Sequence, residues 1–445
     1  MSVLENIIEQ AKMNGRFAPL HSPELLKVLD ENRKQLQELG FPQRKSEAWK
    51  YTSLRRLEDE QLELHNEIKF IDYEYITQNK ISPDCIVFVN GVYSAPLSSL
   101  PNHQDISVSE WRSKGDGLTD IYLGNVPEFL LKISKAEDLI ANLSQIYIEN
   151  SLLITVQEKS RPEYPLQIMH INFPQHPQKI DAALANIFIS IKKDAQAQII
   201  ETHVSADSDK MTFSNTMYRI DLAAGAELKH YTLQCEGQRA QHFAASHVNV
   251  ADGAKYESLL YQAGSQLGRH ELKVKLKGAK AQAKLLGLYY GRDKQQLDQI
   301  TSIEHLVPDT ESSQYYKGMM ADASRAVFSG KIVVAEQAKN TVARQLSRNL
   351  LLDKDAEINA KPELQISNND VTCSHGASIG ELDQDLLFYL QSRCIAPIEA
   401  RVMLARAFAN EIIDKIELPK LKHFVNQHLD QAMLGTKSQE ADHVH

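Results

Sequence analysis

Cys373 and His375 are the side chains of this 445-residue chain whose types and spacing most directly suggest chemistry. They lie one residue apart in the run VTCSHGASIGELD, and in an extended segment residues i and i+2 point to the same side. A thiolate and an imidazole placed in this way could bind one metal ion or one sulfur atom, since both are donors for iron, zinc or copper. Two ligands do not close a tetrahedral site, so the pair predicts half of a site that a second chain would complete.

Two other interpretations of this pair remain open on the spacing alone. A histidine that activates a cysteine nucleophile must lie within hydrogen-bonding distance of the sulfur, whereas residues i and i+2 of a strand are roughly 6–7 Å apart. A buried thiol beside a hydrogen-bonded histidine at a turn is the third interpretation. Taken individually, the histidines of the strand region are predicted to be surface or core residues: His203, His230, His242, His247, His270 and His305.

The common motifs for nucleotide binding and hydrolysis are absent from the sequence. Gly330 and Lys331 are followed by Ile332 and lack the upstream glycine of a phosphate-binding loop. The sequence also contains no GxGxxG, HExxH or EF-hand pattern. Any dependence on ATP would therefore have to come from another subunit.

Composition narrows the class of protein further. The chain has 49 basic and 58 acidic residues and a net charge of −9, which argues against a general nucleic-acid or anionic-membrane binder. No run approaches the roughly 18 apolar residues of a membrane span, and the start MSVLENIIEQ lacks the basic region of a secretory signal. Four widely separated cysteines are typical of free thiols in a reducing compartment. We therefore expect a soluble, cytoplasmic protein.

The elements that must position the pair are strands with a repeat. From Ser151 onward, β-branched residues alternate with polar ones over some 200 residues, and a small or acidic residue followed by alanine opens successive strands. Intervals of 31, 28 and 25 residues separate the first four of the alanines Ala195, Ala226, Ala254, Ala279 and Ala356. This period predicts a parallel β-helix. The longer interval before Ala356 would then contain two irregular turns. A β-sandwich is the alternative architecture.

Helical patterns flank the strands. After Pro397, apolar residues recur every three or four positions and form a narrow stripe that either packs on the protein's own fold or contacts a partner: Ile398, Val402, Ala405, Ala409, Ile412 and Ile416. The resulting division of the chain is a mainly helical domain (1–85), a mixed linker region (86–150), a β-helix core (151–380), a C-terminal helical domain (381–435) and a disordered tail (436–445).

Four segments resemble the SufB/SufD family, the scaffold subunits of the SufBCD iron–sulfur cluster assembly machinery. They are SEAWKYTSL, ASRAVFSGKIVVAEQAKNT, NAKPELQISNNDV and VTCSHGASIGELDQDLLFYLQSRCI, which together run through most of the chain. The CSHG block resembles the SufD branch, because the SufB branch is expected to carry a glutamate-containing sequence there. Cys394 departs from the family, which usually has glycine at this helix end.

The resemblance implies a non-enzymatic scaffold with a parallel β-helix between two helical domains. It implies a SufB-like paralogue as partner at the end of the β-helix and a SufC-like ATPase at the C-terminal helices, including the apolar stripe. His375, with Cys373 nearby, would handle iron or sulfur transiently in a nascent cluster shared with the paralogue. No tightly bound cofactor is expected, and the chain could form a homodimer when alone. A thiol–imidazole enzyme and a purely structural β-solenoid are the alternatives.

Overall fold

A computed structural model describes most of the chain. The described residues are 3–13, 23–42, 46–58, 60–64, 71, 73–100, 104–110, 138–147, 151–176 and 179–434. The predicted tail (436–445) and residues 111–137 of the predicted linker region lie outside them. The division into five regions therefore stays a prediction.

The described part of the chain contains eight α-helices and a short 3-10 helix at Glu47–Trp49. The α-helices are α1 Val3–Met13, α2 Pro23–Leu39, α3 Arg55–Glu58, α4 Tyr73–Gln78, α5 Leu139–Ile146, α6 Gln384–Ser392, α7 Pro397–Ile413 and α8 Pro419–Leu434. Twenty strands make up most of the remainder. They are β1 Leu62–Leu64, β2 Asp84–Val89, β3 Val92–Tyr93, β4 Ile106–Glu110, β5 Ser151–Val156, β6 Leu166–Asn172, β7 Ile180–Ile191, β8 Gln196–Ser205, β9 Thr212–Leu222, β10 Glu227–Cys235, β11 Gln241–Val250, β12 Lys255–Gln262, β13 Leu267–Leu276, β14 Gln282–Gly291, β15 Gln296–His305, β16 Glu311–Met320, β17 Arg325–Val334, β18 Thr341–Leu351, β19 Glu357–Ile366 and β20 Val371–Glu381.

The strands form a two-sheet β-solenoid. From β5 to β20 the chain alternates between two ten-stranded sheets, with odd-numbered strands in one sheet and even-numbered strands in the other. Each of these strands pairs in parallel with the strand two positions away, for example β10 with β8 and β12. Every turn of the solenoid therefore contributes one strand to each sheet, which confirms the predicted parallel β-helix with helices at both ends of the chain.

One corner of the solenoid explains the alanine repeat. In each of six successive turns, the chain passes this corner through a residue with a positive φ. These residues are Asp194, Gly225, Gly253, Lys280, Asp309 and Asn340. The side chain that follows is almost completely buried each time: Ala195, Ala226, Ala254, Ala281, Thr310 and Thr341. The fourth alanine of the repeat is therefore Ala281, because the predicted Ala279 is exposed. Ala356 belongs to the opposite corner, where β19 begins.

Alternate residues of the two sheets fill the interior, whose apolar part includes Ile187, Tyr218, Val248, Leu285 and Phe328. The N-terminal helices α1 and α5 cover the outer face of the odd sheet. The C-terminal helices α7 and α8 cover the outer face of the even sheet. The solenoid is therefore shielded on both broad faces by parts of the same chain.

Trp49 anchors the N-terminal segment to the solenoid. Its indole is 1% exposed, and the Arg269 guanidinium lies 4.0 Å from the ring centroid. Phe243 contributes a second aromatic ring at 6.2 Å. A cation–π contact of this kind is stronger when the cation is desolvated, and Arg269 is itself buried.

Cys394 ends helix α6 in a left-handed conformation, with a φ of 64°. The Ile395 N–H donates to the Leu390 carbonyl at 3.3 Å, and the Cys394 N–H donates to the Gln391 carbonyl at 3.0 Å. This is the Schellman pattern, in which the left-handed position usually carries glycine because a Cβ is unfavourable there. The helix therefore ends as it would with glycine, in spite of the cysteine.

We expect Cys394→Gly to raise the free energy of unfolding by about 1 kcal/mol, because glycine adopts this conformation without the Cβ penalty. Denaturation with urea, followed by circular dichroism, measures the change. Cys394→Ala keeps the Cβ and is the matched control, with no gain expected. Equal gains in both variants would show that the thiol, rather than the backbone conformation, is unfavourable.

Candidate functional site

The predicted Cys373–His375 pair lies on β20, the last strand of the even sheet. Cys373 pairs with Ala343 of β18, and His375 pairs with Gln345. Ala343 and Gln345 are buried residues whose side chains face the interior of the solenoid. Cys373 and His375 therefore continue an interior column of side chains at the turn where the solenoid stops.

The two side chains differ in exposure. Cys373 is half-buried and packs against the small apolar cluster of Ile332, Val334, Ala338 and Ala343. Burial raises the pKa of its thiol, although a backbone hydrogen bond from Ala343 opposes this. His375 is exposed. Within the described residues, no hydrogen bond joins the two side chains, so the arrangement lacks the thiol–imidazole contact that a nucleophile–base pair needs.

The last turn of the solenoid leaves two strand edges unpaired among the described residues. Strand β19 pairs only with β17, and β20 pairs only with β18. Two large apolar side chains are exposed on these strands, Ile366 at 41% and Ile379 at 48%. Free strand edges with exposed apolar groups are favourable places for another chain to add by backbone pairing.

Most of the predicted apolar stripe is buried by the protein itself. Ala405, Ala409, Ile412 and Ile416 are at most 5% exposed and belong to the cluster between the C-terminal helices and the even sheet. At these four positions the stripe therefore packs on the protein's own fold, which is one of the two alternatives that the sequence left open. The stripe is the face that the helix uses to cover the solenoid, because even strands such as β14 present apolar side chains outward. Ile398 is 39% exposed, and Val402 is partly buried.

A buried lysine holds helix α7 in place. Lys317 of β16 is fully buried, and its Nζ lies 3.8 Å from the Phe408 ring centroid and 3.0 Å from Glu411 Oε2. The Tyr315 hydroxyl also donates to Glu411 Oε2, at 2.6 Å. In this ion pair the lysine is buried and the glutamate is exposed. Breaking the pair is costly, because it would leave the charged lysine buried without a partner. The C-terminal helices are thus fixed to the sheet by charge as well as by apolar packing.

Helices α6 and α7 expose other apolar side chains instead. Their exposed fractions are 49% for Leu386, 74% for Phe388, 53% for Tyr389 and 49% for Met403. Such side chains on a helical surface are candidates for a protein contact. The sequence pattern did not identify them, because they do not follow the stripe that defines the buried face.

The interior of the solenoid gathers histidines that are distant from one another in sequence. The interior brings together five from β6, β8, β10, β11 and β13: His170, His203, His230, His242 and His270. Burial opposes ionisation of the two nearby carboxyls, but hydrogen bonds from His203 and His230 hold the pKa of Glu201 well below its usual value. The pKa of Glu236 is lowered to about 2, chiefly by His242, again against the effect of burial. The spacing of Glu201 and His203 on one strand was the available sequence signal, but their partners come from other strands.

The structure also bears on the class of protein. Within the described ranges, no helix combines the length and the apolar character that crossing a membrane requires.

His305 differs from the five histidines described above. It is a core residue whose two ring nitrogens both have hydrogen-bonding partners, Thr310 and Ser312, at 2.8 Å each.

Comparisons with known proteins agree on one family. Residues 174–408 match the family model described as SUF system FeS cluster assembly, SufBD core domain. The chain is 31% identical to the iron–sulfur cluster assembly protein SufD of Escherichia coli K12, over 91% of this chain and 92% of that protein. It is 27% identical to a SufBD family protein of Synechocystis over 87% of each chain. It is also 27% identical to the chloroplastic protein ABCI7 of Arabidopsis thaliana, over 93% and 87%.

We expect Ala409→Glu to detach the C-terminal helices from the solenoid, because a carboxylate at this fully buried position has no partner. Limited proteolysis should then cleave between β20 and α8 at least about tenfold faster, since local opening governs cleavage. Met403→Glu adds the same charge at an exposed position of the same helix and should leave the cleavage rate unchanged. Equal protection of both variants would contradict the packing described for α7.

Proposed function

Because the chain belongs to the SufBD family of iron–sulfur cluster assembly proteins, we propose that it is a cytoplasmic, non-enzymatic scaffold subunit of a SufBCD-type complex. A SufB-like paralogue is its paired scaffold, and a SufC-like ATPase supplies the energy of ATP hydrolysis. The complex assembles iron–sulfur clusters and delivers them to apo-proteins. The absence of a phosphate-binding loop from this sequence supports an ATPase on a separate chain.

The observation that carries this proposal is the open end of the solenoid. The interior column that contains Gln345 ends at the exposed His375, beside the unpaired edge of β20. A second solenoid that added its strands to this edge would cover His375 and Cys373 with its own residues. A site that is half complete in one chain would thereby be completed at the interface.

His375 and Cys373 are proposed to handle iron or sulfur of the nascent cluster, which is cargo shared with the paralogue. An imidazole and a thiolate are both suitable iron ligands. The raised pKa of Cys373 keeps its thiol protonated in the free chain, and metal binding would release that proton. His375 is already accessible and is therefore the principal residue of the pair.

The ATPase is proposed to bind the outer surface of helices α6 and α7. The exposed side chains there are Leu386, Phe388, Tyr389, Ile398 and Met403. Ala405, Ala409, Ile412 and Ile416 would support this surface from beneath, because they hold α7 against the even sheet. Movement of the ATPase would then be transmitted to the solenoid through the Lys317–Glu411 ion pair.

We expect His375→Ala to lower the rate of cluster assembly by the reconstituted complex at least about tenfold, as loss of a metal-site residue typically does. The measurement is the visible absorbance of the cluster formed from iron, a sulfur donor and ATP. His423→Ala, an exposed histidine on α8, is the matched control and should have no effect. A wild-type rate for His375→Ala would remove the proposed role of this residue.

We expect Ile379→Lys to weaken binding of the SufB-like paralogue at least about tenfold, about 1.4 kcal/mol, because lysine on a free edge opposes strand addition. Analytical ultracentrifugation of the two purified chains measures the affinity. Tyr164→Lys changes an equally exposed apolar residue outside β19 and β20 and should bind as the wild type does. Unchanged affinity for Ile379→Lys would place the interface elsewhere.

A further inference from the structure

The interior of the solenoid contains a histidine–glutamate cluster that the open end does not explain. Its central residue is His203 on β8, which is 1% exposed. The His170 ring lies 4.5 Å from the His203 ring, and the His242 ring lies 4.6 Å from it on the opposite sheet. Glu201 and Glu236 contact these rings and are likewise buried.

Two of these histidines share one hydrogen-bonding pattern. His203 Nε2 lies 2.5 Å from Glu201 Oε1, and His242 Nδ1 lies 2.8 Å from Glu236 Oε2. The other ring nitrogen of each, His203 Nδ1 and His242 Nε2, is buried and has no hydrogen-bonding partner among the described residues. Buried polar atoms without a partner are uncommon in folded proteins.

The pattern determines which nitrogen carries the proton. A carboxylate only accepts hydrogen bonds, so the ring nitrogen that contacts it must be the N–H donor. A neutral His203 then has its lone pair on the unpartnered Nδ1. His242 Nδ1 lies on the side of its ring that faces Glu236 Oε2, so an ion held by both residues would take the place of the proton between these two atoms. The arrangement at His203, an N–H on one nitrogen to a carboxylate and a free lone pair on the other, is that of metal-ligating histidines.

Ring geometry selects which residues could share an ion. The His170 and His203 rings are stacked with an interplanar angle of 6°, so their in-plane lone pairs run parallel and do not converge. The His203 and His242 rings meet at 70°, so their lone pairs are not held in parallel planes. One donor atom each from His203, Glu236 and His242 lies within 4.8 Å of the other two.

The charge of the cluster also favours a cation. Both oxygens of Glu236 already accept hydrogen bonds: Asn172 and Ser214 donate to Oε1, at 2.6 and 2.9 Å, while Gln234 and His242 donate to Oε2, at 2.8 Å each. None of these four partners is a lysine or an arginine. A buried carboxylate without a lysine or arginine partner is costly, and a divalent ion offsets this cost directly.

We propose that the solenoid interior binds one divalent first-row transition-metal ion through His203, His242 and Glu236. Two imidazoles and one carboxylate form a ligand set suited to zinc, iron(II), cobalt or manganese. The site is enclosed by both sheets, so its ion is a structural one that is distinct from the cluster iron at the open end. This inference stands on its own and does not depend on the role of His375.

The test measures metal in the full-length, tag-free chain. The protein is unfolded with a chelator and refolded. It is then incubated separately with manganese, iron(II), cobalt, nickel and zinc ions, and bound metal is measured by mass spectrometry after gel filtration. We expect about one equivalent of at least one ion per chain, together with a higher midpoint of thermal unfolding in the metal-loaded protein. Binding of none of these ions by the refolded wild type would overturn the proposal without any variant.

Variants assign the ion to the cluster. His203→Gln and His242→Gln should each weaken metal affinity at least about tenfold. His305→Gln removes an equally buried histidine of the same interior and should retain the metal, as should His375→Ala. The visible absorbance of bound cobalt provides a readout independent of stability. Retention of the metal by His203→Gln, or its loss in His375→Ala, would contradict the interior site.

Discussion

Backbone pairing between successive turns is the interaction on which the rest of this structure depends. Each solenoid strand satisfies its N–H and C=O groups with the strand before and the strand after it, in parallel register. A stack built in this way has two ends, and within the described residues β19 and β20 have no following strand. The open end is therefore a consequence of the architecture, and the position of His375 on it gives that end its proposed function.

The same stacking explains why the two outer faces of the solenoid differ from its end. Parallel sheets expose apolar side chains outward, so each face must be covered. Helices α1 and α5 cover the odd sheet, and α7 and α8 cover the even sheet. The last turn, in contrast, keeps two strand edges unpaired among the described residues. A partner that binds by strand addition is thus directed to β19 and β20, and a partner that binds helices is directed to the outside of α6 and α7.

The interior is divided into apolar and polar parts. Apolar residues such as Ile187 and Val248 fill one part, while the histidines around His203 and the carboxylates of Glu201 and Glu236 occupy another. A fully apolar interior would have served stability at least as well, because buried charges are weak contributors to stability. The polar part therefore indicates a specific role, for which we propose a bound metal ion. The proposed interior ion and the proposed cluster site are separate, with different ligands and different access to solvent.

The sequence alone determined the solenoid, its two helical flanks and the family, because alternation along strands and the CSHG block are local features. It also placed Cys373 and His375 on one side of an extended segment, which β20 confirms. It could not determine which alanine belonged to the corner, since Ala279 and Ala281 differ only in the exact register of the turn. Nor could it decide that Ala409 packs inward while Phe388 faces solvent, or that His203 meets His242. Those facts depend on which strands and helices become neighbours, and residues far apart in sequence acquire their neighbours only when the turns stack.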